Sequence, residues 1–126
     1  MAKISGKALI DSTIGVAGCG AMGLPMAMAL ARAGFKVNGF DVRPIEKFGD
    51  FENNMIGSAG EFSRAVDVVI SVVRDQRQTL DLYFEKQAIF RNPDYPKICL
   101  LASTVAPSFI SEISLKMPAD VLFFEI

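Results

Sequence analysis

Between Asp11 and Arg32 the chain carries no charged side chain, and the middle of that stretch reads Gly18-Cys19-Gly20-Ala21-Met22-Gly23. A run of about 20 uncharged residues is long enough to cross a bilayer, but this one changes character at the glycines. Before them, Thr13 to Ala17 (TIGVA) is short, apolar and rich in β-branched residues, which predicts a buried strand. After them, from about Ala21 to Ala33, come strong helix formers, and Gly34 supplies a stop. Pro25 falls within the first turn of that helix, where its missing amide hydrogen costs little. A buried strand, a turn and a helix account for both halves of the stretch; a lipid-exposed helix accounts for neither. No membrane association is expected. The N-terminus does not read as a signal peptide either, because Lys3 and Lys7 are followed by Asp11 rather than by an apolar run with a cleavage site.

The same alternation continues along the chain. Lys36 to Phe40 (KVNGF) predicts a second strand, and Pro44 to Phe51 a short helix with Pro at its first position. Met55 to Gly57 is a weak third strand. Ser58-Ala59-Gly60-Glu61 has the form of a capping box, so a helix is expected from Ala59 to about Ala65. Val66 to Val73, with its core at Val68 to Val73, is apolar on both faces, as a central parallel strand covered by helices must be. Asp75 is placed to cap a helix reaching about Ile89. Lys97 to Ala102 predicts a strand, Pro107 to Lys116 a helix, and Val121 to Ile126 (VLFFEI) a last strand.

Strands and helices alternating in this way predict an α/β fold: a Rossmann-type doubly wound parallel sheet in three αβα layers, with right-handed crossovers. The length of 126 residues suits one domain, residues 1–126, with no linker. VLFFEI is strongly apolar and ends without a turn, a cap or a polar tail. The chain therefore reads as cut inside a longer protein, after a sixth strand. Such a strand favours self-association and leaves room for a homo-oligomer.

Composition removes several chemistries. With no His among the residues, imidazole catalysis, Ser-His-Asp triads and His-ligated metals are excluded within the chain, and no metal site is expected. A net charge of −1 gives no electrostatic reason to expect nucleic acid. Cys19 and Cys99 form no CxxC pair and no metal spacing, and read as reduced thiols of a cytoplasmic protein.

A bare GxGxxG is weak evidence. Here it follows a predicted strand, opens a predicted helix, and has an acid about twenty residues on, at the end of the next strand. That context makes it a dinucleotide fingerprint. Gly18 would permit the tight turn, Gly20 would let the backbone approach a pyrophosphate, and Gly23 would allow close helix-strand packing. The helix starting near Ala21 would offer free amides and its positive dipole end to the phosphates, through Cys19, Ala21 and Met22 as well as the glycines. Asp41 can accept hydrogen bonds from both ribose hydroxyls, with Val42 and Arg43 beside it. A carboxylate there repels a 2′-phosphate, so NAD is expected over NADP. Arg43 could reach such a phosphate, or could be a solvated surface arginine.

The longer string Val16-Ala17-Gly18-Cys19-Gly20-Ala21-Met22-Gly23-Leu24-Pro25-Met26-Ala27, followed by Leu30, Gly34, Val37 and Asp41, resembles the N-terminal signature of the β-hydroxyacid dehydrogenases. That family includes 3-hydroxyisobutyrate dehydrogenase, tartronate semialdehyde reductase and threonate-type enzymes, and is akin to 6-phosphogluconate dehydrogenase. The likeness continues through Asp67-Val68-Val69-Ile70 to Ser103-Thr104-Val105-Ala106-Pro107. It implies that Val73 and Arg74 lie along the cofactor, that Thr104 touches it near the nicotinamide, and that Ser103 belongs to the substrate-binding set. Arg74 stands where many members have Pro, and Leu101 where members often have an acid.

Read structurally, Ser103 and Thr104 are helix-start hydroxyls ahead of Pro107, a role compatible with ligand contact. Asp75 reads as a cap, and Met26, Met28 and Leu30 as helix core. In the family a following helical domain supplies the substrate pocket and a catalytic lysine. No lysine here lies in a matching motif, so no catalytic residue is assigned. The resemblance implies the cofactor half of an NAD(P)-dependent enzyme that interconverts a small hydroxy acid with its keto acid or semialdehyde, not expected to turn over alone. Two alternatives share the scaffold: a binding or regulatory module without the lysine, and an imine reductase.

Overall fold

A computed structural model describes residues 11–103 and 105–126. Five strands, β1 (Thr13–Ala17), β2 (Lys36–Phe40), β3 (Val68–Ser71), β4 (Ile98–Leu101) and β5 (Leu122–Glu125), form one sheet in the order β2-β1-β3-β4-β5. Every pairing is parallel. Four α-helices connect them: α1 (Gly23–Arg32), α2 (Ala59–Ala65), α3 (Gln76–Tyr83) and α4 (Pro107–Lys116), with a 3₁₀ segment at Ile45–Asn54.

Alternation along the strands sorts side chains onto two faces. Ala17, Val69, Cys99 and Leu101 pack under α2, α3 and α4 through Phe62, Leu82, Tyr83, Phe109 and Ile113. Val16 and Val37 point the other way, onto Ala27 of α1 and onto Phe48 and Phe51 of the 3₁₀ segment. The result is three layers, with β3 in the middle of the sheet and all four of its residues buried. The strand order reverses beside β1, which leads on to β2 at one side while β3 lies at the other. Such a reversal opens a crevice at the carboxyl ends of the strands.

Several local rules hold to the residue. Ser58 caps α2 by accepting from the Glu61 amide, and Asp75 caps α3 by accepting from the Gln78 amide at 2.8 Å. Pro107 opens α4. Past the end of α1, the amides of Phe35 and Gly34 donate to Leu30 and Ala31 at 3.2 and 3.1 Å, the paired bonds of a Schellman stop.

Three expectations are corrected. Met55 to Gly57 is not a strand: it makes a single parallel bridge, Gly39 to Met55, and Ile56 donates to the Gly39 carbonyl at 2.8 Å. Met55 ends the 3₁₀ segment and Ser58 already caps α2, which leaves no room for a ladder. The sheet thus has five strands and a remnant of a sixth at its β2 edge. The helix expected at Pro44 to Phe51 is this 3₁₀ segment, with extended Pro44 ahead of it and a break at Gly49 (φ 53°). Phe48 before the break and Phe51 after it are both buried.

The third correction concerns α3, which ends at Tyr83 rather than near Ile89. The amides of Phe84 and Glu85 converge on the Leu80 carbonyl, and those of Gln87 and Ala88 on Asp81. This folded-back turn, with Ala88 at φ 52°, returns Ile89 and Phe90 to the core. Phe90 meets Tyr83 edge-on, with ring centroids 5.4 Å apart. Burial of two large apolar side chains outweighs another turn of helix.

Candidate functional site

The crevice is built around the turn between β1 and α1. Gly18 donates its amide to the Phe40 carbonyl at 2.9 Å and holds a φ of 94°. A Cβ there would lie 2.4 Å from the Val72 carbonyl oxygen, and one on Gly23 would lie 1.8 Å from that of Gly18. Both glycines are required by the protein's own packing. Gly20 differs: its backbone lies outside the left-handed region, and a Cβ would meet only Arg43 Nη2, at 4.0 Å. Neither conformation nor packing asks for glycine at that position.

Helix α1 begins at Gly23, two residues after the expected start, because Ala21 and Met22 form an exposed turn closed by the Leu24 amide on the Gly20 carbonyl. No side chain caps α1 at Met22. Within the first turn of α1 the Leu24 and Met26 amides are bound to the Gly20 and Met22 carbonyls and Pro25 has none. What the start of α1 offers a ligand is therefore its positive dipole end and the amides ahead of Leu24.

Across the turn, at the end of β2, stands Asp41. Its Oδ2 accepts the Cys19 amide at 2.9 Å and Arg43 Nη2 at 3.2 Å. Its Oδ1 accepts the Arg43 amide and Arg43 Nε, each at 3.0 Å. Arg43 Nη2 also donates to the Cys19 carbonyl at 3.1 Å, and the guanidinium carbon lies 5.2 Å from the centre of the Phe48 ring. Burial pushes the Asp41 carboxyl up, but the hydrogen bonds from Arg43 and Cys19 outweigh it and hold the group below the ordinary Asp value. The carboxylate in turn raises Arg43. The Cys19 thiol points into the core, and burial, aided by Asp41, pushes it up to about 12. Cys19 thus belongs to the site through its backbone.

Asp41, exposed Val42 and Arg43 form one wall of a cleft of about 790 Å³ whose floor is Gly18 and Gly20. Val73 and Arg74 line the cleft too, and the Arg74 amide is held by Gln78 Oε1 at 2.8 Å. Gln78, Asp81, Lys86 and Gln87 also line it. These residues were missed by the sequence reading, which gave α3 only a cap. The early end of α3 is what turns Lys86 and Gln87 toward the cleft.

Ser103 lies elsewhere. With Met22, Met26, Ala102 and Ile126 it borders a second, open cleft of about 340 Å³ on the α1 side. Its hydroxyl donates to the Val73 carbonyl at 2.7 Å, so Val73 links the two clefts. Ser103 does not serve as the helix cap, since α4 starts from Ala106 with no side-chain cap. Thr104 lies outside the described residues. Among the described residues no cluster of three or more Cys, Asp or Glu is spaced to hold a metal ion, and no helix is long and apolar enough to cross a membrane.

A family model described as the NAD binding domain of 6-phosphogluconate dehydrogenase matches residues 13–124. The L-threonate dehydrogenase of Cupriavidus necator is 32% identical over 110 residues, covering 86% of this chain and 37% of that protein. The 3-hydroxyisobutyrate dehydrogenase of Pseudomonas aeruginosa is 30% identical over 99 residues, covering 77% of this chain and 33% of that protein. The chain thus spans about a third of the length of these relatives. Among solved structures, a 3-hydroxyisobutyrate dehydrogenase from Salmonella typhimurium superposes with a TM-score of 0.75 at 25% identity, covering 90% of this chain and 40% of that one. An imine reductase variant from Myxococcus stipitatus, solved with NAD+, superposes with a TM-score of 0.74 over 90% of this chain and 39% of that one; at 14% identity it shares the fold alone.

Proposed function

The chain belongs to the family of NAD-binding domains of 6-phosphogluconate dehydrogenase, and from that premise we propose that it holds NAD, in preference to NADP, along Gly18–Gly23 as the cofactor half of a hydroxyacid dehydrogenase. The observation that carries the assignment is Gly20. A glycine that neither backbone conformation nor packing demands is accounted for by a ligand whose pyrophosphate must approach the main chain.

The residues present fit the group. The free amides at the start of α1, including those of Ala21 and Met22, would take the phosphates. Asp41 would receive the ribose hydroxyls and disfavour a 2′-phosphate. Val42, Arg43, Val73 and Arg74 would flank the adenosine in the larger cleft, which falls within the usual size range of ligand pockets. The nicotinamide would extend toward the smaller cleft, past Met22 and Met26, where Ser103 would meet the substrate; the family resemblance would give Thr104 a contact with the nicotinamide end. Ser103, with its proton committed to the Val73 carbonyl, keeps its oxygen as an acceptor for a substrate hydroxyl.

When bound, the nicotinamide supplies the hydride transfer; the protein's part is to bind, orient and exclude water. We assign no acid–base residue to this chain. The substrate is proposed as a small hydroxy acid, in line with the threonate and 3-hydroxyisobutyrate enzymes among the relatives.

Calorimetric titration tests the reading. NADH should bind, more tightly than NADPH, and Gly20→Val should melt like the wild type yet lose NADH. A folded Gly20→Val protein that binds NADH normally would remove the phosphate assignment.

A further inference from the structure

The Asp41 carboxylate has no free acceptor site. An ionised carboxylate offers about four lone-pair positions. Here Oδ1 takes the amide and Nε of Arg43, and Oδ2 takes the amide of Cys19 and Nη2 of Arg43. The reading above asks the same two oxygens to receive two ribose hydroxyls. Two of the four present donors must then leave.

Which two is decided by what each donor is attached to. The Cys19 amide is main chain within the glycine turn, next to Gly18, whose own amide is bound to the Phe40 carbonyl. The Arg43 amide is main chain two residues beyond Asp41 and keeps its place as long as the β2 end does. The other two bonds come from one guanidinium at the end of a side chain that is 53% exposed, whereas that of Asp41 is 9% exposed. The guanidinium alone can withdraw by rotation about single bonds; its two bonds to Asp41 equal in number the two hydroxyls that arrive, and its third bond, to the Cys19 carbonyl, is given up with them.

We infer that the Arg43 guanidinium is a stand-in for the ribose diol, holding the Asp41 carboxylate in its binding position in the free protein and exchanging out, two bonds for two, when the adenosine ribose enters. The inference rests on the dinucleotide reading of the site and adds a residue that sets affinity and selectivity. Exchange means that ribose recognition yields only the difference between two sets of bonds, so Arg43 weakens NADH binding. The displaced cation would stay beside the cleft that Arg43 lines, near the Phe48 ring. There it would offset the repulsion that Asp41 imposes on a 2′-phosphate. One side chain thus narrows the preference for NADH from both directions.

The test uses Arg43→Met, which keeps an unbranched stem and removes the fork, with ADP and 2′,3′-dideoxy-ADP as probes beside NADH and NADPH. Removing the cation affects the phosphates of both ADP probes alike, so the ratio of their affinities reports on the hydroxyls alone. We expect that ratio to rise about fivefold or more in Arg43→Met, NADH to bind several times more tightly and NADPH more weakly, since each displaced bond to a charged group is comparatively strong. Arg43→Lys, which keeps the charge but not the two-pronged geometry, should raise the ratio while retaining more of the NADPH binding. An unchanged ratio in Arg43→Met, with NADH bound no tighter, overturns the stand-in while leaving the site assignment intact. Failure of folded wild-type protein to bind either NADH or ADP overturns the site assignment and this inference together.

Discussion

The hydroxyls of Ser71 and Tyr83 lie 2.5 Å apart, and both residues are fully buried, one at the end of β3 and the other at the last turn of α3. The pair ties a central strand to a helix, and Tyr83 shares its core cluster with Cys99 of β4. Burial raises the Tyr83 hydroxyl well above its ordinary value and keeps it neutral. Tyr83→Phe should cost about 1–3 kcal/mol by leaving the Ser71 hydroxyl without a partner. The double variant Ser71→Ala, Tyr83→Phe should cost less than the sum of the two single changes. Urea unfolding of the four proteins measures this; additive losses would mean that the two hydroxyls act independently.

Stability should depend on pH through Asp41. Its folded pKa is depressed by the bonds from Arg43 and Cys19. A carboxyl of that kind contributes stability above its unfolded value, about 3.9, and the contribution is lost as pH falls through the folded value. Comparing unfolding free energies at neutral pH and below the usual carboxylate range, Asp41→Asn should lose much more at neutral pH than in acid. An equal loss at both would show that the carboxylate charge contributes nothing.

Both thiols should be inert in the folded state. Burial pushes Cys19 and Cys99 to about 12, from an ordinary 9.0, so at pH 8 the thiolate fraction falls by roughly a thousandfold, and with it the rate of alkylation. Iodoacetamide should label neither under native conditions and both in denaturant. Rapid labelling of folded protein would mean that one of the two is exposed.

Much of the fold could be read locally. Strands β1 and β2 and helices α2 and α4 have the bounds that the sequence predicts. Their signals are short-range: β-branched runs between turn residues, a Ser-x-x-Glu start, a Pro at the first helical position. The glycine turn was legible for the same reason, because Gly18 and Gly23 answer to sterics within the turn and the neighbouring strand. Where a segment's own propensity was weak, neighbours decided. Met55 to Gly57 lost its ladder to the elements at either end, and α3 gave up a turn so that Ile89 and Phe90 could be buried.

By itself, then, the sequence determined that Gly18–Gly23 forms a tight turn opening a helix, with Asp41 at the next strand end, because those outcomes follow from backbone sterics and hydrophobic period. Only the tertiary structure decided what these residues do to one another. The Cys19 amide reaches Asp41 across 22 positions and Arg43 reaches the Cys19 carbonyl across 24. Such bonds exist because parallel pairing of β1 with β2 sets the two strand ends side by side. Arg43, a surface arginine or a phosphate ligand by sequence, bonds Asp41 locally, two positions away, and that register adds the Cys19 amide that completes the saturation and the Cys19 carbonyl that holds the guanidinium. The approach of Val72 to Gly18, and of Gly18 to Gly23, separates Gly20, which the protein does not need as glycine, from the two that it does.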